Sequence, residues 1–331
     1  MTPDEIQAAS VFMKSTILIG NVLDRLAELP DGLVRTCVTS PPYWGLRDYG
    51  EADQLGLEET PEAYVQNMVK VFREVWRVLA DDGTLWLNLG DSYASFRDGK
   101  ATPDTTRGES IGTLVPKGSA KNRMASTFTG TGIKHKDLVG IPWRVAFALQ
   151  TDGWYLRQDI IWAKPNPMPE SVTDRCTKSH EYLFLLSKSP RYFYDHEAVK
   201  EESVAGKWSA MPPIGGIKQT ERNGNNTYSG NTPSSNGLRN KRDVWTIPTK
   251  PFKGAHFAVM PEALVEPCVL AGSQEGDTVL DPFTGSGTVA VVANRHGRNF
   301  IGTELNPEYA EIARERITAS SPMFNQVEVQ S

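Results

Sequence analysis

Asp277-Thr278-Val279-Leu280-Asp281-Pro282-Phe283-Thr284-Gly285-Ser286-Gly287-Thr288 is a short apolar strand running into an acid, a proline and a glycine-rich turn. Val289 to His296 then has the apolar spacing of a helix, Asn299 to Thr303 reads as a strand ended by Glu304, and Pro307 opens a last helix. Strand, turn, helix and strand in that order make a βαβ half of the nucleotide-binding kind. Gly285 and Gly287 let the backbone approach a ligand with no Cβ between them. Glu304, about twenty residues further on, is placed to accept hydrogen bonds from both hydroxyls of a ribose. That favours a nucleoside site over a glycine-rich turn that is merely structural.

The residues also bear on which nucleotide. A dinucleotide site calls for G-x-G-x-x-G, and here the third position is Ala290, which some dinucleotide folds allow. No lysine follows to grip a phosphate, which excludes a Walker A loop. Asp281 at the mouth of the turn would repel phosphates but suits a ligand bearing an ammonium or sulfonium charge. S-adenosylmethionine is therefore favoured over NAD.

Towards the other end of the chain, Leu33 to Val38 reads as a buried strand and leads into Thr39-Ser40-Pro41-Pro42-Tyr43-Trp44. Two consecutive prolines forbid both helix and further sheet pairing. Ser40 before a proline is pushed to an extended conformation. The outcome is a stiff turn at a strand's carboxyl end, holding a hydroxyl, two carbonyls and two aromatic faces in fixed directions. Ligands of open α/β sheets sit at such ends. A rigid strand exit with Tyr43 and Trp44 as core fits this line equally well.

The remaining text supplies the elements between. Thr16 to Ile19 reads as a strand, Gly20-Asn21 as a turn, and Val22 to Leu29 as a helix closed by Pro30. Thr60-Pro61-Glu62 starts a helix with Thr60 as N-cap, and its apolar stripe runs to Asp81-Asp82-Gly83. Thr84 to Leu89 follows as a strand, giving β-α-β order and a parallel sheet. Ile141 to Leu149 reads as a helix and Tyr155 to Trp162 as a strand; Glu181 to Ser187 and Tyr192 to Tyr194 read as a hairpin about Lys188-Ser189-Pro190. Two long stretches, from Ser92 to about Lys136 and from about Ser203 to Asn240, lose this patterning. The expected division is 15–91 and 246–318 as catalytic and cofactor halves of an α/β core, with 138–200 continuing it. Residues 92–137 and 201–245 are insertions and 319–331 a tail.

Hydrophobic residues at 39% and charged residues at 23% describe an ordinary globular protein, and no apolar run approaches the roughly 18 residues of a membrane span. The amino terminus lacks the layout of a signal peptide, so an intracellular, cytoplasmic protein is expected. Cys37, Cys176 and Cys268 are far apart and read as reduced, buried thiols. Net charge is −5, yet residues 97–144 and 200–256 each carry nine Lys/Arg against four Asp/Glu, leaving the rest of the chain at −15. An acidic body with two basic, irregular segments suits a nucleic-acid binder with local contact surfaces; chance excess charge in solvated loops is the plainer alternative.

Taken together, the two motifs resemble those of the DNA methyltransferases that act on exocyclic N4 of cytosine or N6 of adenine. The matching text is Ser40-Pro41-Pro42-Tyr43 and Asp281-Pro282-Phe283-x-Gly285-x-Gly287-Thr288, in the order of the circularly permuted β group. Ile19-Gly20-Asn21, Arg157 to Lys164, His180-Glu181-Tyr182, Asp243-Val244-Trp245 and the segment from His256 to Leu264 extend the likeness. The family's turn after the first strand usually reads Gly-Asp; Asn21 here loses a charge that helps hold the cofactor's adenine end.

This resemblance implies a mostly parallel, Rossmann-like methyltransferase sheet flanked by helices, S-adenosyl-L-methionine as cofactor, and double-stranded DNA as partner. A cognate restriction endonuclease is a further expected partner, and the chain would act as monomer or homodimer, without membrane or metal. Ser40 Oγ and the Pro41 carbonyl would accept from the amino group of a flipped base as it turns cationic, Pro42 would stiffen the turn, and Tyr43 would stack on the base. Asn21, Asp281, Pro282, Phe283, Gly285, Gly287, Thr288 and Glu304 would bind the cofactor. Ser at the first motif position favours cytosine N4, with adenine N6 the alternative. Arg239, Lys241 and Arg242 are DNA-contact candidates, and the five histidines are structural or surface residues. An inactive nucleic-acid-binding module and an NAD oxidoreductase are the competing classes.

Overall fold

Leu85, Leu87 and Leu89 face one hydrophobic cluster, while Trp86 between them faces another. Phe184 and Leu186 likewise divide from Leu183 and Leu185. Side chains alternate across a strand, so an uninterrupted apolar run is what a sheet covered on both faces requires. The structure is a computed structural model and describes residues 13–45, 51, 53–94, 131–203, 237–249, 259–320 and 325–330. Most of both irregular stretches, and His256, lie outside the described residues.

Along the chain come β1 (Met13–Ile19), α1 (Val22–Ala27), β2 (Val34–Thr39), α2 (Pro61–Val78), β3 (Leu79–Leu89) and α3 (Ile141–Thr151). They are followed by β4 (Tyr155–Ala163), β5 (His180–Ser187), β6 (Glu201–Glu202), β7 (Leu238–Arg239) and β8 (Val244–Thr246). The last part holds α4 (Glu262–Gly272), β9 (Thr278–Asp281), α5 (Thr288–Arg295), β10 (Asn299–Glu304), α6 (Pro307–Ser320) and β11 (Asn325–Gln330). Nine strands form one sheet in the order β11-β1-β10-β9-β2-β3-β5-β4-β8, and β6 pairs with β7 apart from it. Within the nine-stranded sheet only β5 runs against its neighbours.

Local sequence explains the helices that position the site. Thr60 caps α2 by accepting from the Ala63 amide at 3.1 Å, and Pro61 sits where no N–H is needed. Tyr64, Met68, Val71, Phe72, Val75 and Val78 form its buried stripe, packed in one cluster with Ile141, Val145 and Leu149 of α3. On the opposite face α4, α5 and α6 bury Val265, Val269, Val289, Val292, Ala313 and Ile317.

The centre of the sheet is where β9 lies beside β2. From β2 the sheet extends through β3, and from β9 it extends the other way through β10. Connections that part in opposite directions leave a crevice at the strands' carboxyl ends. Both sequence motifs end there, and the Thr39 hydroxyl donates to Asp281 Oδ1 at 2.7 Å across it.

Several expectations need correction. Tyr192–Tyr194 is not a strand: β5 is taken by β3 and β4, while the Phe193 amide bonds to the Asp82 carbonyl and Tyr194 stacks on Trp86. β3 begins at Leu79, opposite Val34, and Thr84 then stands opposite Thr36, so the expected Asp-Asp-Gly turn is an irregularity within a strand. The supposed tail contains β11, which lies parallel to β1 from Met13↔Asn325 to Leu18↔Gln330. Cys37 and Cys268 are buried, but Cys176 is exposed.

Candidate active site

A cavity of about 200 Å³ opens over the carboxyl ends of β1, β10, β9 and β2. Its floor on one side is the turn from β9 to α5. The Gly285 amide donates to Glu304 Oε2 at 2.8 Å and the Asn306 amide to Oε1 at 3.0 Å, so two backbone N–H groups hold the carboxylate at the tip of β10. Burial raises the Glu304 pKa against the lowering effect of these donors. A Cβ on Gly285 would meet only the Phe283 carbonyl, 3.9 Å away, so this position keeps the cleft side open.

Gly287 serves differently from what the sequence suggested. Its φ is +75°, it is the N-cap of α5, and a Cβ there would lie 3.1 Å from Ala313 Cβ. It does not line the cavity; its missing side chain lets α6 close on the turn. Pro282, Phe283 and Thr288 do line the cavity, and the Thr288 hydroxyl accepts from Arg316 Nη1 at 2.8 Å.

Asp281 is buried at the end of β9, where its Oδ1 accepts from Thr39 Oγ1 and from the Phe283 amide at 3.0 Å. Burial pushes its pKa up to about 7, outweighing both donors, and the nearby Glu304 charge adds to the rise. Asn21 also lines the cavity, but its Oδ1 accepts from the Leu23 amide at 2.9 Å and caps α1. The acceptor expected to face a ligand is thus committed to the helix.

On the other side of the crevice, Ser40, Pro41, Pro42 and Tyr43 all border the cavity. The Pro42 carbonyl accepts from the Tyr64 hydroxyl at 2.9 Å; among the described residues no hydrogen bond reaches that of Pro41. Trp44 is core, its indole N–H donating to the Glu58 carbonyl at 3.0 Å. Tyr43 packs against Gly90, where a Cβ would come within 2.5 Å of its ring. Its hydroxyl lies 2.8 Å from Glu181 Oε2, 3.0 Å from Asn88 Oδ1 and 3.3 Å from Ser40 Oγ. Burial, then the Glu181 charge, raises the Tyr43 pKa well above the phenol range.

Glu181 is also ion-paired with Lys164. Asn88, Glu181 and Lys164 had no assigned role in the sequence reading. Asn88 carried a signal nonetheless: it is one polar residue in the otherwise apolar run Leu85–Leu89, and it is buried. Arg239 and Arg242 both bond to Glu201 Oε1, at 3.0 and 2.9 Å, and Lys241 lies over the Trp245 ring at 4.8 Å. None of the three lines the cavity.

A family model described as DNA methylase, of the N6/N4 methyltransferase type, matches residues 34–315. The chain belongs to this family. The methylase is 48% identical over 303 residues to the Type II methyltransferase M.Cfr9I of Citrobacter freundii, covering 92% of this chain and 87% of that one. It is 46% identical over 302 residues to the Type II methyltransferase M.SmaI of Serratia marcescens, covering 91% and 90%. Its fold is that of a Thermus thermophilus chain solved with S-adenosyl-L-methionine, with TM-score 0.59, 24% identity and coverage of 96% and 98%. PvuII DNA methyltransferase, cytosine-N4-specific, shares the fold at TM-score 0.59 and 18% identity, covering 97% and 98%. The methylase therefore has the α/β fold of the S-adenosylmethionine-dependent methyltransferases.

Proposed function

We propose that this DNA methylase transfers a methyl group to the exocyclic N4 of cytosine in double-stranded DNA, with the target base turned out of the duplex. The cofactor is S-adenosyl-L-methionine, which supplies an electrophilic methyl group on a sulfonium. What carries the reading is a single cavity bordered both by Ser40–Tyr43 and by Asp281, Gly285 and Glu304.

Within that cavity the division of labour follows from the chemistry of each group. Glu304, aimed by two backbone amides, takes ribose hydroxyls. Asp281 answers a cationic group, Phe283 and Pro282 supply apolar walls, and the Asn21 amide nitrogen, its oxygen capping α1, faces the adenine end. Ser40 Oγ and the Pro41 carbonyl accept from the substrate's amino group. Its lone pair is delocalised into the ring, so acceptors that strengthen as the nitrogen becomes cationic act mainly in the transition state. Pro41 and Pro42 hold those acceptors without reorganisation, and proximity to the methyl group provides much of the remaining acceleration. Arg239, Lys241 and Arg242 lie off the cavity and serve the flanking DNA backbone.

Ser40 at the first motif position supports cytosine over adenine. The motif order, Ser40–Tyr43 before Asp281–Thr288, supports the circularly permuted β group. The Type II designation of the bacterial relatives supports a restriction–modification setting with a cognate endonuclease. Incubation with unmethylated genomic duplex DNA and cofactor, followed by nucleoside mass spectrometry, should yield N4-methylcytosine. Finding N6-methyladenine in its place would overturn the base assignment, and finding no methylated base would overturn the activity.

A further inference from the structure

Tyr43's hydroxyl has one proton and two neighbours that can only accept from it. Glu181 Oε2 is 2.8 Å away and Asn88 Oδ1 is 3.0 Å away. The Asn88 orientation is fixed because its Nδ2 donates to the Tyr182 carbonyl at 3.0 Å and to Glu181 Oε2 at 3.3 Å. With its proton spent on that side, the Tyr43 oxygen can meet Ser40 Oγ, at 3.3 Å, only as an acceptor. Ser40 therefore points its proton at Tyr43, away from the substrate, and keeps its lone pairs for the cavity. A serine becomes an acceptor group because a carboxylate two bonds behind it sets the direction of the chain.

That carboxylate is held firmly. Lys164 pairs with Glu181, and its ammonium sits 4.2 Å from the centre of the Trp162 ring. The Lys164 and Glu181 side chains are each 17% exposed, so the far end of the chain still reaches solvent.

We propose that Glu181 is the proton sink of methyl transfer, reached from Ser40 through the Tyr43 hydroxyl. This rests on the reading of Ser40 as the acceptor for the substrate's amino group. As the nitrogen gains its methyl group, one N–H bond breaks and its proton bonds to Ser40 Oγ. The Ser40 proton passes to the Tyr43 oxygen, and the Tyr43 proton to Glu181 Oε2. Ser40 and Tyr43 end unchanged and the methylated base is neutral. The carboxylate charge disappears together with the sulfonium charge, and Lys164 keeps its own. Glu181 acts through two other groups and is a positioning and proton-accepting residue.

The test is single-turnover methyl transfer to genomic duplex DNA at saturating cofactor, with cofactor and DNA affinities measured alongside. Tyr43→Phe keeps the ring but removes the relay hydroxyl. Glu181→Gln keeps a hydrogen-bond acceptor for Tyr43 but cannot take a proton. Each should slow the chemical step by about 100-fold, the scale of general-base assistance, with both dissociation constants within about twofold of wild type. The double variant should be no slower than the slower single one, because both act through one chain. A Glu181→Gln enzyme at wild-type rate, or losses that multiply in the double variant, would overturn the relay. Should Glu181→Gln fail to fold for want of a partner for Lys164, Lys164→Gln/Glu181→Gln removes both charges, and a wild-type rate there would equally overturn it. Ser40→Ala at full rate would instead sink the underlying reading, whatever Glu181 does.

Discussion

At Asp281 burial and hydrogen bonding meet the charge of the ligand proposed for it. Its pKa of about 7 lies above the ordinary value of 3.8 because burial outweighs the Thr39 and Phe283 donors. Between those two values the folded protein holds a proton that the unfolded chain has lost. The stability contributed is full below pH 3.8, falls as pH rises, and is gone above about 7. A cationic ligand reverses the preference, since it favours the carboxylate and expels the proton. Cofactor binding should tighten from pH 6 to pH 8 and release up to one proton per site at the acid end. Calorimetric titration in two buffers of different ionisation heat reads both quantities. Asp281→Asn should bind more weakly and with a flat pH profile. An unchanged profile in that variant would show that another group controls it.

The turn between β9 and α5 shows how an element is set by one residue's backbone. Gly287 combines a φ of +75° with a distance of 3.1 Å from a would-be Cβ to Ala313, so both conformation and packing exclude a side chain. Gly287→Ala should cost about 1–3 kcal/mol from the left-handed backbone alone and lower the melting temperature by several degrees. A scanning-calorimetry trace matching wild type would refute this. Gly285 has a φ of +51° and no would-be neighbour nearer than 3.9 Å, so its alanine variant should carry the backbone strain without the Ala313 clash and lose less stability than Gly287→Ala. Elements of this kind were legible before the fold because their signals are local: a strand, a turn and a helix within 277–304. α2 was equally plain from Thr60, Pro61 and its stripe. β8, only three residues long, and β11 were not, because each owes its existence to a partner strand far away in the chain. Tyr192–Tyr194 looked like a strand, yet β5 had no free edge left to pair with it. The site divided the same way. Ser40–Tyr43, Asp281 and Glu304 stood out as motif text, whereas Asn88, Glu181 and Lys164 come together only through the β3, β5 and β4 pairing.

At the scale of the whole molecule, the sheet order separates two tasks along one row of strand ends. β1, β10 and β9 present Asn21, Glu304 and Asp281, the proposed cofactor side; β2, β3, β5 and β4 present Ser40, Asn88, Glu181 and Lys164, the proposed amino-group side. The Thr39–Asp281 bond joins the two at the centre, and little else among the named site residues crosses it. Substitutions on the two sides should therefore fail in different ways. Ser40→Ala removes an acceptor used mainly in the transition state, so the methyl-transfer rate should drop by about 100-fold or more, while cofactor affinity stays within about twofold of wild type. Glu304→Gln keeps the shape of the side chain but weakens acceptance from ribose hydroxyls by removing a charge, so cofactor affinity should fall about tenfold and the rate at saturating cofactor should be largely kept. Equilibrium binding and single-turnover rates on the same two variants decide the matter. If Ser40→Ala weakened cofactor binding as much as it slowed transfer, the strand ends would be working as one unit and the separation drawn from the topology would be wrong.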